Sequence, residues 1–220
     1  MWHHEARFAM TKKQKTASRE RSRTVFVGMS GGVDSSVAAA LLKRDGYNVV
    51  GVHLRSYNVD GCGEQDAEDA RRAAETLRMP FYVFDVEREY RAQVVDYMVR
   101  GYKAGITPNP DVMCNKEIKF GVFLKKALAL GADYIATGHY VRLRRKSEIR
   151  NPKSETIIKS QKLESKRVSN LEHSNLEFVS NFDIRASNFG LGIAKDSNKD
   201  QSYFLWTLTQ AQLRHCLFPI

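Results

Sequence analysis

The feature that most constrains this chain is a glycine-rich turn set between a strand-forming run and a helix-forming one. Thr24-Val25-Phe26-Val27-Gly28 is short, β-branched and almost continuously apolar, the pattern of a strand covered on both faces in a parallel sheet. Met29-Ser30-Gly31-Gly32 follows, and from Val33 to Arg44 the apolar residues recur at helical spacing. The theme then repeats. Strands are expected over 48–54, 81–86 and 133–137, and helices over 64–78, 87–103 and 116–130. Such alternation predicts an α/β fold built on a doubly wound, largely parallel sheet.

The same turn makes an anion site. Its glycines let the backbone curl and expose N–H groups, and the helix that follows adds positive potential at its N-terminus. Ser30 and Ser35 can donate to phosphate oxygens; Asp34 can hold a magnesium ion or hydrogen-bond the loop. No Lys follows the glycines, so this is not a Walker A loop, and the GxGxxG pattern is not met either. Ligands of such sheets sit outside the carboxyl ends of the strands. There Leu54 can border an adenine ring, and Gly138 can let a nucleotide approach closely. His139 reads as a hydrogen-bonded structural histidine.

A second stretch, Gly105-Ile106-Thr107-Pro108-Asn109-Pro110-Asp111-Val112-Met113-Cys114-Asn115-Lys116, is stiffened by two prolines before a helix. Cys114 is expected near that helix N-terminus with Lys116 and Lys119 close by, a setting that favours the thiolate. Asp111 can serve as acid or base for a bound group. The alternative is a packed, inert cysteine in a rigid turn.

Charge is unevenly spread. The formal net charge is +10, yet Met1 to Arg23 holds seven Lys/Arg against two acids, and Arg142 to Asn170 ten against three. The remainder is slightly acidic, so the basicity sits in segments without helix or strand period. Residues 1–23 read as a disordered basic extension, and 146–190, rich in Ser, Asn, Lys and Glu, as a flexible insertion. Between them, 24–145 forms the nucleotide-binding α/β domain, and 191–220 its end or the start of a further domain, with a helix over 209–217. Basic segments suit nucleic acid, and equally suit solvated tails. The cysteines Cys62, Cys114 and Cys216 form no CxxC pair, which argues against a zinc site or a disulfide framework and for a reducing, cytoplasmic setting. No apolar stretch approaches bilayer-spanning length.

Four blocks, in order, resemble the tRNA-specific 2-thiouridylase family. The first is Ser30-Gly31-Gly32-Val33-Asp34-Ser35, similar to the loop of enzymes that split ATP between its α and β phosphates and transfer AMP to an oxygen. The others are Asn109-Pro110-Asp111-x-x-Cys114-Asn115-Lys116-Glu117-Ile118-Lys119-Phe120, then Gly131 to Tyr140, then Asp196 to Leu205. The resemblance implies ATP, with Mg2+, on Gly28, Met29, Ser30, Gly31, Gly32, Val33, Asp34, Ser35, Leu54 and Gly138. It places the target base on Asn109, Pro110 and Asp111, the loop nucleophile at Cys114, and tRNA against Lys199, Asp200 and Gln201. It implies adenylation of a wobble uridine, then sulfur transfer from a second cysteine charged as a persulfide by a sulfur-relay protein. That cysteine lies in a Gly-Ile-Cys context which neither Cys62 nor Cys216 matches, so the chain is expected to be one part of such an enzyme. An amidotransferase-type synthetase, a lysidine-forming tRNA ligase and a non-catalytic nucleotide- or RNA-binding remnant remain open alternatives.

Overall fold

A computed structural model of the chain describes residues 23–56, 62–145 and 188–220. Five parallel strands form the main sheet in the order β3-β2-β1-β4-β7. They are β1 (Thr24–Gly28), β2 (Asn48–Arg55), β3 (Phe81–Asp85), β4 (Tyr134–Ala136) and β7 (Cys216–Leu217). The chain runs outward from β1 through α1 (Val33–Arg44), β2 and α2 (Cys62–Thr76) to β3. It then returns to the far side of β1. Two long helices carry it back: α3, from Glu87–Tyr90 through a π-helical Arg91–Val95 to Asp96–Lys103, and α4, from Pro110–Met113 through a π-helical Cys114–Phe123 to Leu124–Ala129. The reversal falls between β1 and β4, which opens a crevice at their carboxyl ends.

Alternation of side chains along β1 fills both layers. Val25 and Val27 point to one face, where Ala39 and Leu42 of α1 and Ala70 and Ala74 of α2 cover them. Phe26 points to the other, against Phe120, Phe123 and Leu124 of α4. A strand buried on both faces has no room for a polar stripe, which explains its unbroken apolar run. In β2, Gly51 leaves space for Met29: a Cβ there would stand 2.8 Å from the Met29 sulfur. The first residue of the turn is thereby pinned under the sheet, with its N–H on the Val52 carbonyl at 2.8 Å.

The expected fold holds, with differences at its ends. Arg23, placed in the basic extension, is fixed to the sheet, where its carbonyl accepts from Asn48 N–H at 3.0 Å. The rest of that extension and insertion residues 146–187 lie outside the described residues. Phe189–Gly192, reaching into the expected insertion, forms β6, antiparallel to β5 (Arg142–Arg145). The helix expected over 209–217 shrinks to α5 (Gln210–Leu213), held by a Thr209/Gln212 capping box. Cys216 instead enters β7, paired with Ile135 of β4. It is 1% exposed, and burial pushes its thiol up to about 12, so it is a packed thiol in a strand and not part of the expected helix.

Candidate active site

The turn after β1 is built from its own short-range bonds. Gly31 adopts φ +84°, and a Cβ on it would come within 2.7 Å of the Asp66 carbonyl oxygen of α2. Both facts demand glycine. The Ser30 N–H donates to Ser35 Oγ at 3.2 Å, and Ser35 Oγ donates to the Gly32 carbonyl at 3.1 Å. Gly32 caps α1 without a side chain, so the helix presents uncapped N–H groups and the positive end of its dipole to whatever lies before it.

What lies before it is a cavity of about 660 Å³ at the carboxyl ends of β1, β2 and β4, a size that suits a nucleotide. Ser30, Asp34 and Ser35 line one wall, and Leu54 borders it as expected. His53 also lines it; this residue is 7% exposed, with Nδ1 3.0 Å from the Met29 carbonyl oxygen. Gly138 lines it too, and packing places a demand of its own on this residue. A Cβ there would meet Ser35 N at 2.7 Å and Asp34 C at 2.8 Å. Glycine is needed so that the start of α1 can close on β4, ahead of any contact with a ligand. His139 bonds Thr137 Oγ1 through Nδ1 at 2.8 Å and packs on the Phe120 ring. Burial first, and the Lys119 charge second, hold its pKa down to about 3, so it is neutral throughout the physiological range.

Cys114, Ile118 and Lys119 of α4 line the same cavity. Here one expectation is corrected. The helix begins at Pro110, four residues before the cysteine, with Asn109 as its N-cap: Asn109 Oδ1 accepts from Val112 N–H at 3.1 Å. Cys114 therefore sits in the body of α4, partly buried, and burial pushes its thiol pKa up. Lys119 pulls the other way and Asp111 adds to the rise. Lys116 is exposed and paired with Glu117 at 2.9 Å. The resting group is a thiol, and the thiolate expected from the lysines is outweighed by desolvation.

The turn at 199–201 reaches the cavity through Gln201. Asp200 is spent on structure, accepting from Ala194 N–H at 2.8 Å and Ser202 Oγ at 2.7 Å. Lys199 places its ammonium 5.1 Å from the centre of the Tyr140 ring. The cavity thus gathers Gly28, Met29, Ser30, Asp34, Ser35, Leu54, Cys114, Gly138 and Gln201 of the expected residues. Gly31, Gly32, Val33, Asn109, Pro110, Asp111, Lys199 and Asp200 stand outside its lining. His53, Asp66 and Tyr90 line it without having been singled out in the sequence. The one available signal was for His53, a lone polar residue in the otherwise apolar run of β2.

Comparison with known proteins fits this geometry. A family model described as "tRNA methyl transferase HUP domain" matches residues 23–220. The chain is 44% identical over 203 residues to the tRNA-specific 2-thiouridylase MnmA of Flavobacterium johnsoniae, covering 89% of this chain and 42% of the relative. It is 43% identical over 209 residues to that of Bacillus licheniformis, covering 93% and 46%. Against that of Karelsulcia muelleri it is 40% identical over 200 residues, covering 91% and 43%. The chain spans less than half the length of these curated relatives. The resemblance read from the four blocks is borne out.

Proposed function

The chain belongs to the family described as the tRNA methyl transferase HUP domain, and from that premise we propose that it is the ATP- and tRNA-binding part of a tRNA uridine 2-sulfurtransferase. One observation carries the reading: the phosphate loop and Cys114 line one and the same cavity. A simple nucleotide-binding module has no use for a cysteine opposite its phosphates, whereas an enzyme that adenylates a base and then replaces the activated oxygen needs both.

In this reading ATP lies with its phosphates on the loop and the start of α1, and its adenine beside Leu54. A Mg2+ ion fits as a companion of the nucleotide, held by Asp34 and phosphate oxygens, since magnesium is commonly bound by one or two carboxylates together with substrate phosphates. Among the described residues no cluster of three or more His, Cys, Asp or Glu could hold it alone. The uridine leaves its stack to enter the cavity. Its 2-oxygen attacks the α-phosphorus, the bond to the bridging oxygen breaks, and pyrophosphate departs. Backbone N–H groups of the loop, with Ser30 and Ser35, stabilise the charge that develops.

The terminal sulfur of a cysteine persulfide then attacks C2 and expels AMP, which leaves the base joined to that cysteine through a disulfide. Cys114 attacks the cysteine's sulfur, forms a protein disulfide and releases 2-thiouridine. An external reductant resets the pair. Since the Cys114 thiol is raised by burial, its proton must leave in this step, and Lys119 is the nearby cation that favours the thiolate. Asn109, Pro110 and Asp111 begin α4 beside this wall and are assigned to the base; Lys199, Asp200 and Gln201 are assigned to tRNA. The persulfide cysteine and the relay protein that charges it lie outside this chain in this reading. The cytoplasmic setting expected from the cysteine usage is kept as part of this reading; among the described residues no helix is long and apolar enough to cross a membrane. The domain reading is kept as 24–145 plus 191–220, widened by Arg23 and by Phe189 and Gly190, which strand pairing draws in.

The test is pyrophosphate release from ATP with and without tRNA bearing a wobble uridine. Release that depends on tRNA supports the reading; release independent of tRNA, or driven by ammonia or lysine, defeats it.

A further inference from the structure

Tyr140 has no role in the reaction above, yet it touches both halves of the site. Its hydroxyl donates to Asp34 Oδ1 in the phosphate loop at 2.8 Å. Its ring carries Lys199 Nζ at 5.1 Å from the centroid. Its main chain is bound twice to Gln201: the Tyr140 N–H donates to Gln201 Oε1 at 3.1 Å, and the Tyr140 carbonyl accepts from Gln201 N–H at 2.9 Å. Two elements far apart in sequence, the start of α1 and the 199–201 turn, thus converge on one residue. We propose that Tyr140 is a positioning residue that couples nucleotide binding at Asp34 to RNA binding at the 199–201 turn, an inference that rests on the function proposed above.

The physical case follows from what each contact fixes. Asp34 lies in the first turn of α1, where its orientation decides whether it meets a cation and phosphates or folds back on its own helix. The phenol holds one carboxylate oxygen and so selects a rotamer. That bond also raises the phenol's pKa, so the hydroxyl stays a donor across the working range. At the other end, an ammonium resting on an aromatic face is held loosely enough to exchange the ring for an RNA phosphate. Gln201 is tethered rigidly, so a shift of the turn as Lys199 engages RNA moves the Tyr140 backbone, and with it the hydroxyl on Asp34. Gly138, two residues earlier, packs against the Asp34 and Ser35 backbone and leaves little slack for the movement to be absorbed elsewhere.

The experiment is a binding square on the 220-residue chain. The affinity for MgATP is measured by calorimetry with and without saturating tRNA, and the affinity for tRNA with and without a non-hydrolysable ATP analogue. Linkage requires the two ratios to be equal, and a coupling of about fivefold or more is expected in the parent chain. Tyr140→Phe keeps the ring under Lys199 and removes only the hydroxyl. Its ratio should fall toward one while its affinity for MgATP alone changes less than about threefold. Tyr140→Leu should lose the coupling and also weaken tRNA binding, and Lys199→Gln should lose coupling with the Asp34 contact intact. A Tyr140→Phe ratio equal to the parent's overturns the inference, as does an equal loss of both affinities with the ratio preserved, which marks a mere strut. A parent chain that binds both ligands with a ratio of one overturns the coupling alone. One that binds neither overturns the proposed function and this inference with it.

Discussion

The two walls of the cavity are made by opposite means. The loop from Gly28 to Ser35 is closed by its own bonds: Ser30 to Ser35, Ser35 to Gly32, and a left-handed Gly31. The closure of such a loop is encoded locally, in its own glycines and serines. The Cys114 wall is encoded by packing. Its cysteine stands in a π-helical stretch of α4 whose buried face includes Ile118, Phe120 and Phe123, and burial there raises the thiol pKa against the pull of Lys119. A local motif fixes what a loop can bind; what a side chain can do there depends on what lands on it.

The sharpest way to break this contrast is to remove one wall at a time. Asp34→Ala should lower tRNA-dependent pyrophosphate release about a hundredfold, the scale of losing one pre-organised electrostatic contact. Cys114→Ala should leave that release within about twofold of the parent and abolish thiolation when a persulfide-bearing partner segment and its relay are supplied. Equal losses in both variants would mean that the walls do not divide the chemistry. The state of the cysteine is checked separately by the pH dependence of its alkylation, whose midpoint should lie above that of an exposed thiol.

Next in size is the contact that joins the loop to the sheet. An alanine at 138 would press its Cβ onto the Ser35 nitrogen at 2.7 Å, and main chain at the start of a helix yields little. Gly138→Ala should cost about 1–3 kcal/mol of stability, read from urea denaturation, and weaken ATP binding about tenfold. In Gly28→Ala the nearest atom is a Phe123 ring carbon at 3.5 Å, ordinary contact distance, so its stability should stay near the parent's. If both alanines were tolerated alike, the close approach at Gly138 would not matter.

These two glycines also measure how much was legible. Both are plain in the sequence, as are the strand–helix alternation, the turn after β1 and the end of β4, because each follows from local period and turn chemistry. What Gly138 is for was not legible, since its neighbour is Asp34, over a hundred positions earlier. The same holds for Tyr140 and Gln201, for His53, and for Cys216. The last was drawn from the expected helix into β7 by pairing with Ile135, a contact that no local window contains. The early start of α4 is different. Asn109 before Pro110 is an N-cap followed by proline at N1, a helix-start signal readable from sequence that the second proline, two residues earlier, disguises as loop.

A smaller effect comes from His139. Its pKa near 3 in the folded state lies below the usual value of about 6.5 for an unfolded chain. Between those values the unfolded chain binds a proton that the folded one does not. Stability is therefore complete above about pH 6.5 and falls with pH, by up to about 1.4 kcal/mol per unit. Carboxylates add slopes of their own, so the quantity to read is the difference between the parent and His139→Gln in urea midpoints from pH 4.5 to 7.5. A parallel pair of curves would place the histidine in water.

The smallest effect bears on the Cys114 wall itself, because Asn109 has two claims on it. The structure gives its side chain to the Val112 N–H, while the family resemblance gives it to the target base. The two are separable. Serine also caps a helix but lacks the carboxamide, so Asn109→Ser should retain stability within a few tenths of a kcal/mol while Asn109→Ala loses about 1 kcal/mol. If capping is the whole role, thiolation in the Ser variant should match the parent when a persulfide-bearing partner segment and its relay are supplied. If the carboxamide also reads the base, both variants should lose thiolation together despite their different stabilities, and that loss should appear in KM for tRNA with pyrophosphate release per bound tRNA unchanged. In the first case the start of α4 is scaffold that holds Cys114 at the cavity. In the second, one residue anchors the helix and recognises the substrate, and the wall made by packing carries specificity as well as chemistry.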